Sequence, residues 1–145
     1  MFHLDADVAG ESPDNNTPAL VGLLPCEQPC PPPSATTDLL RTVMLSWVGE
    51  TQTPPKTVLC IPSKSTEAWI MAIFFPNDSK MERQGWECYS KPENRLGQQK
   101  KNLRFNKNYT DYEQRKPEIQ AGWATAVENL TEASRFQDDF FAAIS

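Results

Sequence analysis

The first apolar run of the chain, FHLDADVAG, contains two aspartates, Asp5 and Asp7, separated by one residue. Side chains two residues apart in a β-strand project from the same face, so a strand ending here would place both carboxylates side by side. In open α/β sheets, ligands bind just beyond the carboxyl ends of the strands. Because Mg²⁺ keeps several waters and needs only one or two protein ligands, this aspartate pair predicts a minimal Mg²⁺ site.

A third acid, Glu67, follows the second predicted strand at the start of a predicted helix. If the two strands are neighbours, Glu67 lies over the same sheet edge as Asp5 and Asp7. Three carboxylates there would hold one or two divalent ions, the arrangement used for phosphoryl transfer and phosphodiester cleavage. Two simpler interpretations stay open: aspartate often starts a turn after a strand, and glutamate in a first helical turn is favourable without any metal.

The elements that would position these acids follow from the apolar pattern. A β-branched apolar run closed by Pro62 is typical of a strand that is buried on both faces. Parallel strands joined by helical crossovers predict an α/β fold. The expected order is a strand at 2–5, a proline-rich loop at 8–34, a helix from Thr36, a strand at 57–61 and a helix from Ser65.

The second half of the chain predicts an insertion followed by two helices. Residues 77–116 are polar, with aromatic side chains set among basic ones, and we expect short helices there. Residues 117–145 carry two apolar stripes at helical spacing, one before and one after Thr131. The length predicts a single domain over residues 1–145.

Three stretches resemble one family. HLDADVAG resembles the Asp-x-Asp motif of Toprim-like domains, the small α/β module of topoisomerases, primases and overcoming-lysogenization-defect nucleases. VLCIPSKSTEAWIMAIF is similar to a segment of an uncharacterised bacterial family with a Toprim-like fold, and SRFQDDFFAAI is similar to that family's terminal helix. The resemblance covers residues 2–9 and 57–76, and more weakly 117–144.

The resemblance implies a Toprim-like, partly parallel sheet flanked by helices. It also implies Mg²⁺- or Mn²⁺-dependent nuclease chemistry with Asp5, Asp7 and Glu67 as catalytic metal ligands. Toprim domains carry a further glutamate on an earlier strand as general acid/base, and only four residues precede Asp5. Three expectations follow: the start is truncated, a protein partner supplies the missing element, or the fold has lost catalysis. In the last case the chain would be a non-catalytic interaction subunit of a larger assembly of the defence or toxin type.

Basic residues are concentrated in one segment of an acidic chain. The net charge is −5, yet residues 91–116 hold eight Lys or Arg against three acids, which makes this segment +5 and the remainder −10. Such a segment would neutralise phosphates while Phe105, Tyr109 or Tyr112 stack on bases. A solvated basic face with its aromatic rings turned inward, or a docking surface for an acidic protein, would look the same. The residues predicted to contact nucleic acid are Lys100, Lys101, Arg104, Lys107, Arg115 and Lys116.

The apolar content predicts the cellular location of the protein, and the location predicts the redox state of its cysteines. The chain has no apolar run long enough to span a membrane and no amino-terminal pattern of a signal peptide, so we expect a cytoplasmic protein without a membrane partner. Its four cysteines are then expected to be free thiols. Their spacing, CEQPC followed by two single cysteines, lacks the paired short loops of a structural zinc site.

Overall fold

Helices form most of the molecule. The computed structural model describes residues 1–10, 24–101, 103–106 and 108–145. Helices account for 56% of this structure and strands for 3%. The strands are β1 (Phe2–His3) and β2 (Leu59–Cys60), and the helices are α1 (Ser34–Trp47), α2 (Thr66–Phe74), α3 (Ser79–Gln84), α4 (Pro92–Gly97), α5 (Tyr109–Asn129) and α6 (Thr131–Ile144).

The two strands are parallel neighbours, with Phe2 opposite Leu59. Backbone hydrogen bonds continue past both strands, because the Ala6 amide donates to the Pro62 carbonyl and the Asp7 amide donates to that of Lys64. Both residues of β2 are buried, as the apolar run predicts, whereas both residues of β1 are exposed.

The prediction of a Toprim-like α/β sheet is wrong. Within the described residues the sheet has two strands of two residues each. The physical reason is that helices cover both faces of β2. Leu59 belongs to a core cluster with α1, and Cys60 belongs to a different cluster with α2, α5 and α6. The core is therefore made of helix–helix contacts, and the short strands only tie the amino-terminal segment to it.

Helix α2 lies at the centre of the helical core. Six of its nine residues are buried, and they face in all directions around the helix axis. Its partners are α5 on one side and α4 on another. The sequence of α2 is apolar nearly all round, which is typical of a helix that other helices enclose.

Helix α5 begins earlier than the sequence predicts. We expected the helix to start after Pro117, but α5 starts at Tyr109 and contains this proline. The side chain of Asn108 caps the start by accepting a hydrogen bond from the Asp111 amide. A proline inside a helix removes the bond to the carbonyl four residues earlier, here that of Glu113. Because Pro117 and Glu113 are both exposed, water can bind that carbonyl and the helix continues.

Gly122 lets α5 approach α2 closely. A Cβ added at Gly122 would lie 2.6 Å from Cγ2 of Ile73 in α2. At Gly97, the last residue of α4, an added Cβ would meet nothing within 4 Å. The two helical glycines therefore differ in the space around them.

We expect Gly122→Ala to lower the free energy of unfolding by about 1–2 kcal/mol, because overpacking against the branched Ile73 outweighs the better helix propensity of alanine. The matched change Gly97→Ala should leave stability unchanged or raise it by up to about 1 kcal/mol. Urea unfolding followed by circular dichroism measures both. Equal effects of the two substitutions would contradict the close approach.

A buried carboxylate joins α3 to α4. Asp78 caps α3 by accepting hydrogen bonds from the amides of Lys80 and Met81. It also pairs with Arg95 of α4, with Nη2 and Oδ2 2.6 Å apart. Burial raises the pKa of Asp78, but hydrogen bonds from Arg95 and from the Met81 amide outweigh it and hold the pKa below its usual value.

We expect Asp78→Ala to destabilise the protein by about 2 kcal/mol, because α3 loses its cap and Arg95 loses its partner. The lowered pKa also predicts that the wild type loses stability as the pH falls below about 4, the pKa of an unfolded aspartate. Asp78→Asn should show less of this acid-dependent loss. Urea titrations across this pH range test both, and exposed Glu82→Ala is the control. A wild-type acid response retained in full by Asp78→Asn would contradict the assignment.

The expectation of four free thiols is wrong, because Cys30 and Cys88 form a disulfide. The two residues are separated by 58 positions but their Cα atoms lie 5.4 Å apart, so the fold brings them together. Cys26 is a free, exposed cysteine and Cys60 is a free, buried one. Burial, with a smaller effect of the Asp5 charge, raises the pKa of Cys60 to about 12.

Candidate interaction surface

The aspartate pair lies in a turn and not in a strand. Strand β1 ends at His3, and a 3-10 turn follows at Ala6–Val8. The rule that residues two apart share a face applies to strands, so it does not place Asp5 and Asp7 together here. Asp7 is exposed and Asp5 is half-buried.

Asp5 contacts the start of α2, so the two predicted segments do meet. Its Oδ1 accepts a hydrogen bond from Thr66 Oγ1 at 3.2 Å. The same oxygen lies 3.1 Å from Nε2 of His3. The segment after β1 therefore lies beside the start of α2, as the sequence predicts. The residue that makes this contact is Thr66 and not Glu67.

Glu67 turns to another side of α2. Adjacent residues in a helix are about 100° apart, so Glu67 cannot share the direction of Thr66. Its side chain is 2% exposed and borders a pocket of about 240 Å³ together with Leu96 and Phe105. Across the described ranges, no group of three or more His, Cys, Asp or Glu residues is arranged to hold a metal ion. The Mg²⁺ or Mn²⁺ site stays a prediction.

The structure divides the basic segment into engaged and exposed residues. Arg95 is paired with Asp78, and the guanidinium of Arg115 lies 5.4 Å from the ring centre of Phe74 and 5.7 Å from that of Phe105. Arg115 is therefore held against these two rings. Lys107 lies outside the described residues. The remaining predicted contact residues, Lys100, Lys101, Arg104 and Lys116, are exposed.

Two of the three aromatic residues near these cations point inward. Phe105 is buried, and Tyr112 meets it edge-on with 4.7 Å between the ring centres. Tyr109 is 79% exposed at the first position of α5. Of the three rings predicted to stack on bases, Tyr109 is exposed, Tyr112 is half-buried and Phe105 is buried.

A different surface is strongly apolar. Helices α5 and α6 form an antiparallel pair joined at Leu130, and a groove of about 480 Å³ opens on one side of it. We call this the aromatic groove. Its lining residues are Gln120, Trp123, Phe136, Gln137, Phe140 and Phe141.

The groove is the outer end of a continuous series of ring contacts. The series starts at buried Trp69 of α2, whose ring centre lies 5.6 Å from that of Trp123 and 5.7 Å from that of Phe136. The series continues outward from Phe136 to Phe140, whose ring centres are 6.3 Å apart. It ends with Phe140 and Phe141, whose ring centres are 6.1 Å apart. The core of the protein therefore reaches the surface along this series.

The inner part of the groove is fixed, and its outer part is open. Nε1 of Trp123 donates a hydrogen bond of 2.8 Å to Oε1 of Gln137, which holds the indole between α5 and α6. At the other end Phe140 is 42% and Phe141 is 54% exposed. An apolar surface of this kind, with a polar glutamine on each helix, is typical of a protein contact.

The sequence places Trp123 on the apolar stripe before Thr131 and Phe136, Phe140 and Phe141 on the stripe after it, and the structure buries these stripes only in part. Phe140 and Phe141 are adjacent in a helix and so point about 100° apart. Together with Phe136 they widen the apolar face of α6, and a wide apolar face can extend beyond the part that one neighbouring helix covers. That spacing is the signal in the sequence from which the exposed surface could have been inferred.

The face of α6 away from the groove is held by polar contacts with α1. Arg41 Nη1 lies 2.9 Å from Oδ2 of Asp139, and Thr37 Oγ1 donates a hydrogen bond of 2.7 Å to Oε1 of Glu132. Burial raises the pKa of Glu132, although the bond from Thr37 opposes this. Because these contacts fix the orientation of α6, its aromatic residues are directed towards α5 and outward.

Comparison of the chain with protein-family models, with curated proteins and with solved structures gave no match in any of the three. The Toprim resemblance therefore receives no support from relatives. Among the described residues, no helix is both long and apolar enough to cross a membrane.

Proposed function

We propose that this protein is a non-catalytic binding subunit that contacts another protein through the aromatic groove. The observation that supports the proposal best is the exposure of Phe140 and Phe141 beside Trp123, at the end of a ring series rooted in the core. Removing an apolar surface from water is worth about 25 cal/mol per Å², and large aromatic side chains contribute most of such contacts.

The shape of the groove favours a helical occupant. Two antiparallel helices leave a furrow into which the side chains of a third helix can interdigitate. An amphipathic helix that binds in this way uses apolar residues at positions i, i+3, i+4 and i+7. We therefore propose an amphipathic helix of the partner protein as the ligand.

A library of helical peptides displayed on phage tests the proposal. We expect selected peptides to carry that apolar spacing and to bind Phe141→Ser about 5- to 30-fold more weakly than wild type, since an aromatic contact is worth about 1–2 kcal/mol. Phe141 is half-exposed, so the substitution should leave the melting temperature nearly unchanged. Fluorescence anisotropy with the purified peptide measures the affinity.

The matched control is Tyr109→Ser, which removes an exposed aromatic ring of α5 outside the groove. It should leave peptide affinity unchanged. Failure to select any peptide against the folded protein would refute the proposal, as would peptides whose binding is weakened equally by both substitutions.

A second candidate function, binding of single-stranded nucleic acid, is favoured by the exposed cations. Lys100, Lys101 and Arg104 are exposed near the start of α5, and within the described part of the chain no ion pair within 4.0 Å uses the two lysines. Tyr109 adds an exposed ring for base stacking. The buried Phe105 holds this loop against the core.

We expect a labelled oligodeoxythymidylate to bind in a salt-dependent way. Replacing Lys100 and Lys101 by glutamine should reduce the slope of log affinity against log salt by about 1.4, since each contact to a single strand contributes about 0.7. Lys56→Gln, an exposed lysine in another loop, is the control. Binding with the same slope in all three proteins would exclude this surface.

The nuclease hypothesis, with Asp5, Asp7 and Glu67 around Mg²⁺ or Mn²⁺, stays a prediction from the resemblance. Glu67 borders a pocket whose lining includes neither aspartate, so the geometry favours the binding functions.

A further inference from the structure

We propose that the Cys30–Cys88 disulfide is a redox control on the first turn of α6, the helix that carries the outer half of the aromatic groove. Its effect on partner binding rests on the proposed function. Its effect on α6 does not, because it follows from the contacts of Glu87.

Glu87, the residue before the disulfide cysteine, caps α6 from outside the helix. Its Oε1 accepts a hydrogen bond of 2.7 Å from the Glu132 amide, and its Oε2 accepts one of 2.8 Å from the Thr131 amide. The hydroxyl of Thr131 donates to the same Oε2. Amides of a first helical turn have no partner within the helix, and a carboxylate there also favours the positive end of the helix dipole.

The capping residue lies in a connection between α3 and α4, so its position depends on local restraints. The amides of Cys88 and Tyr89 donate hydrogen bonds to the Gly85 carbonyl within the connection. Two further restraints tie it to other segments: Ser63 Oγ donates a hydrogen bond of 2.6 Å to the Glu87 carbonyl, and the adjacent Cys88 is linked to Cys30. The Sγ of Cys30 is itself 3.8 Å from that carbonyl oxygen. The crosslink therefore fixes the backbone at the point where the capping carboxylate begins.

Loss of the crosslink gives this connection more conformational freedom. A cap supplied by another segment stabilises a helix only as far as that segment is held in place, because ordering a residue costs about 1–2 kcal/mol. Reduction thus weakens the Glu87 cap and increases fraying of the first turn of α6. Phe136, the first groove residue of α6, lies just beyond this turn.

The reaction is a thiol–disulfide exchange with a dithiol reductant. A reductant thiolate attacks one sulfur of the Cys30–Cys88 bond and forms a mixed disulfide, and the other cysteine leaves as a thiolate that takes up a proton. The second reductant thiol then displaces the bound cysteine. The product is two protein thiols and an oxidised dithiol, after transfer of two electrons.

The exposure of the four cysteines favours exchange at the Cys30–Cys88 bond. Cys30 and Cys88 are half-buried and so within reach of a small reductant. Cys60 is buried, and its raised pKa keeps it a neutral thiol. Cys26 is exposed but free, so it serves as the control position.

Hydrogen exchange of the full chain, before and after treatment with dithiothreitol, tests the inference. We expect the amides of residues 131–136 to exchange about fivefold faster after reduction, the factor that corresponds to about 1 kcal/mol for one helix cap. Amides in the middle of α5 should be unaffected. Cys26→Ser should respond like wild type, and Cys30→Ser/Cys88→Ser should resemble the reduced protein without reductant.

Unchanged exchange at residues 131–136 would overturn the redox control, and so would equal acceleration in every helix, which indicates global unfolding. Glu87→Gln, which keeps one acceptor but loses the charge, should already exchange faster when oxidised and respond less to reduction. An undiminished response would exclude Glu87 as the link.

The selected peptides separate this inference from the proposed function. If exchange in α6 depends on reduction but no peptide binds either form, the redox control stands and the binding function fails. If peptides bind both forms equally and exchange in α6 is unchanged, the groove stands and the redox control fails.

Discussion

Helix α2 has no polar face that could lie against water, and this constraint determines how the other helices pack around it. A helix that is buried on all sides must be enclosed by several others. Here α5 approaches at Gly122, α4 lies on another side, and Trp69 of α2 extends between α5 and α6. The sheet stays at two short strands because helices, and not further strands, cover both faces of β2.

Buried carboxylates then determine how the outer helices attach. Asp78 joins α3 to α4, Glu87 caps α6 from a distant connection, and Glu132 accepts a bond from α1. Each takes up hydrogen bonds whose loss would leave a buried polar group unsatisfied. Because these contacts are directional, they fix the rotation of α6 as well as its position.

This arrangement of helices leaves the two candidate binding surfaces exposed. Because α6 is held on its α1 side, Phe140 and Phe141 continue the core outward, and none of the helices that the structure describes covers them. The basic segment at residues 91–116 is available only in part, because Arg95 and Arg115 are engaged within the protein, whereas Lys100, Lys101 and Arg104 are exposed.

The sequence by itself located most of the helices, since apolar periodicity and capping are local properties, but it placed the start of α5 too late and made both strands too long. It placed α1, α2 and the α5–α6 pair, and it predicted that β2 is buried on both faces. Only the tertiary structure decided the size of the sheet, the pairing of Cys30 with Cys88 and the pocket that Glu67 borders. These depend on contacts between residues far apart in the chain, and no local pattern encodes which of several apolar or charged partners a side chain will meet.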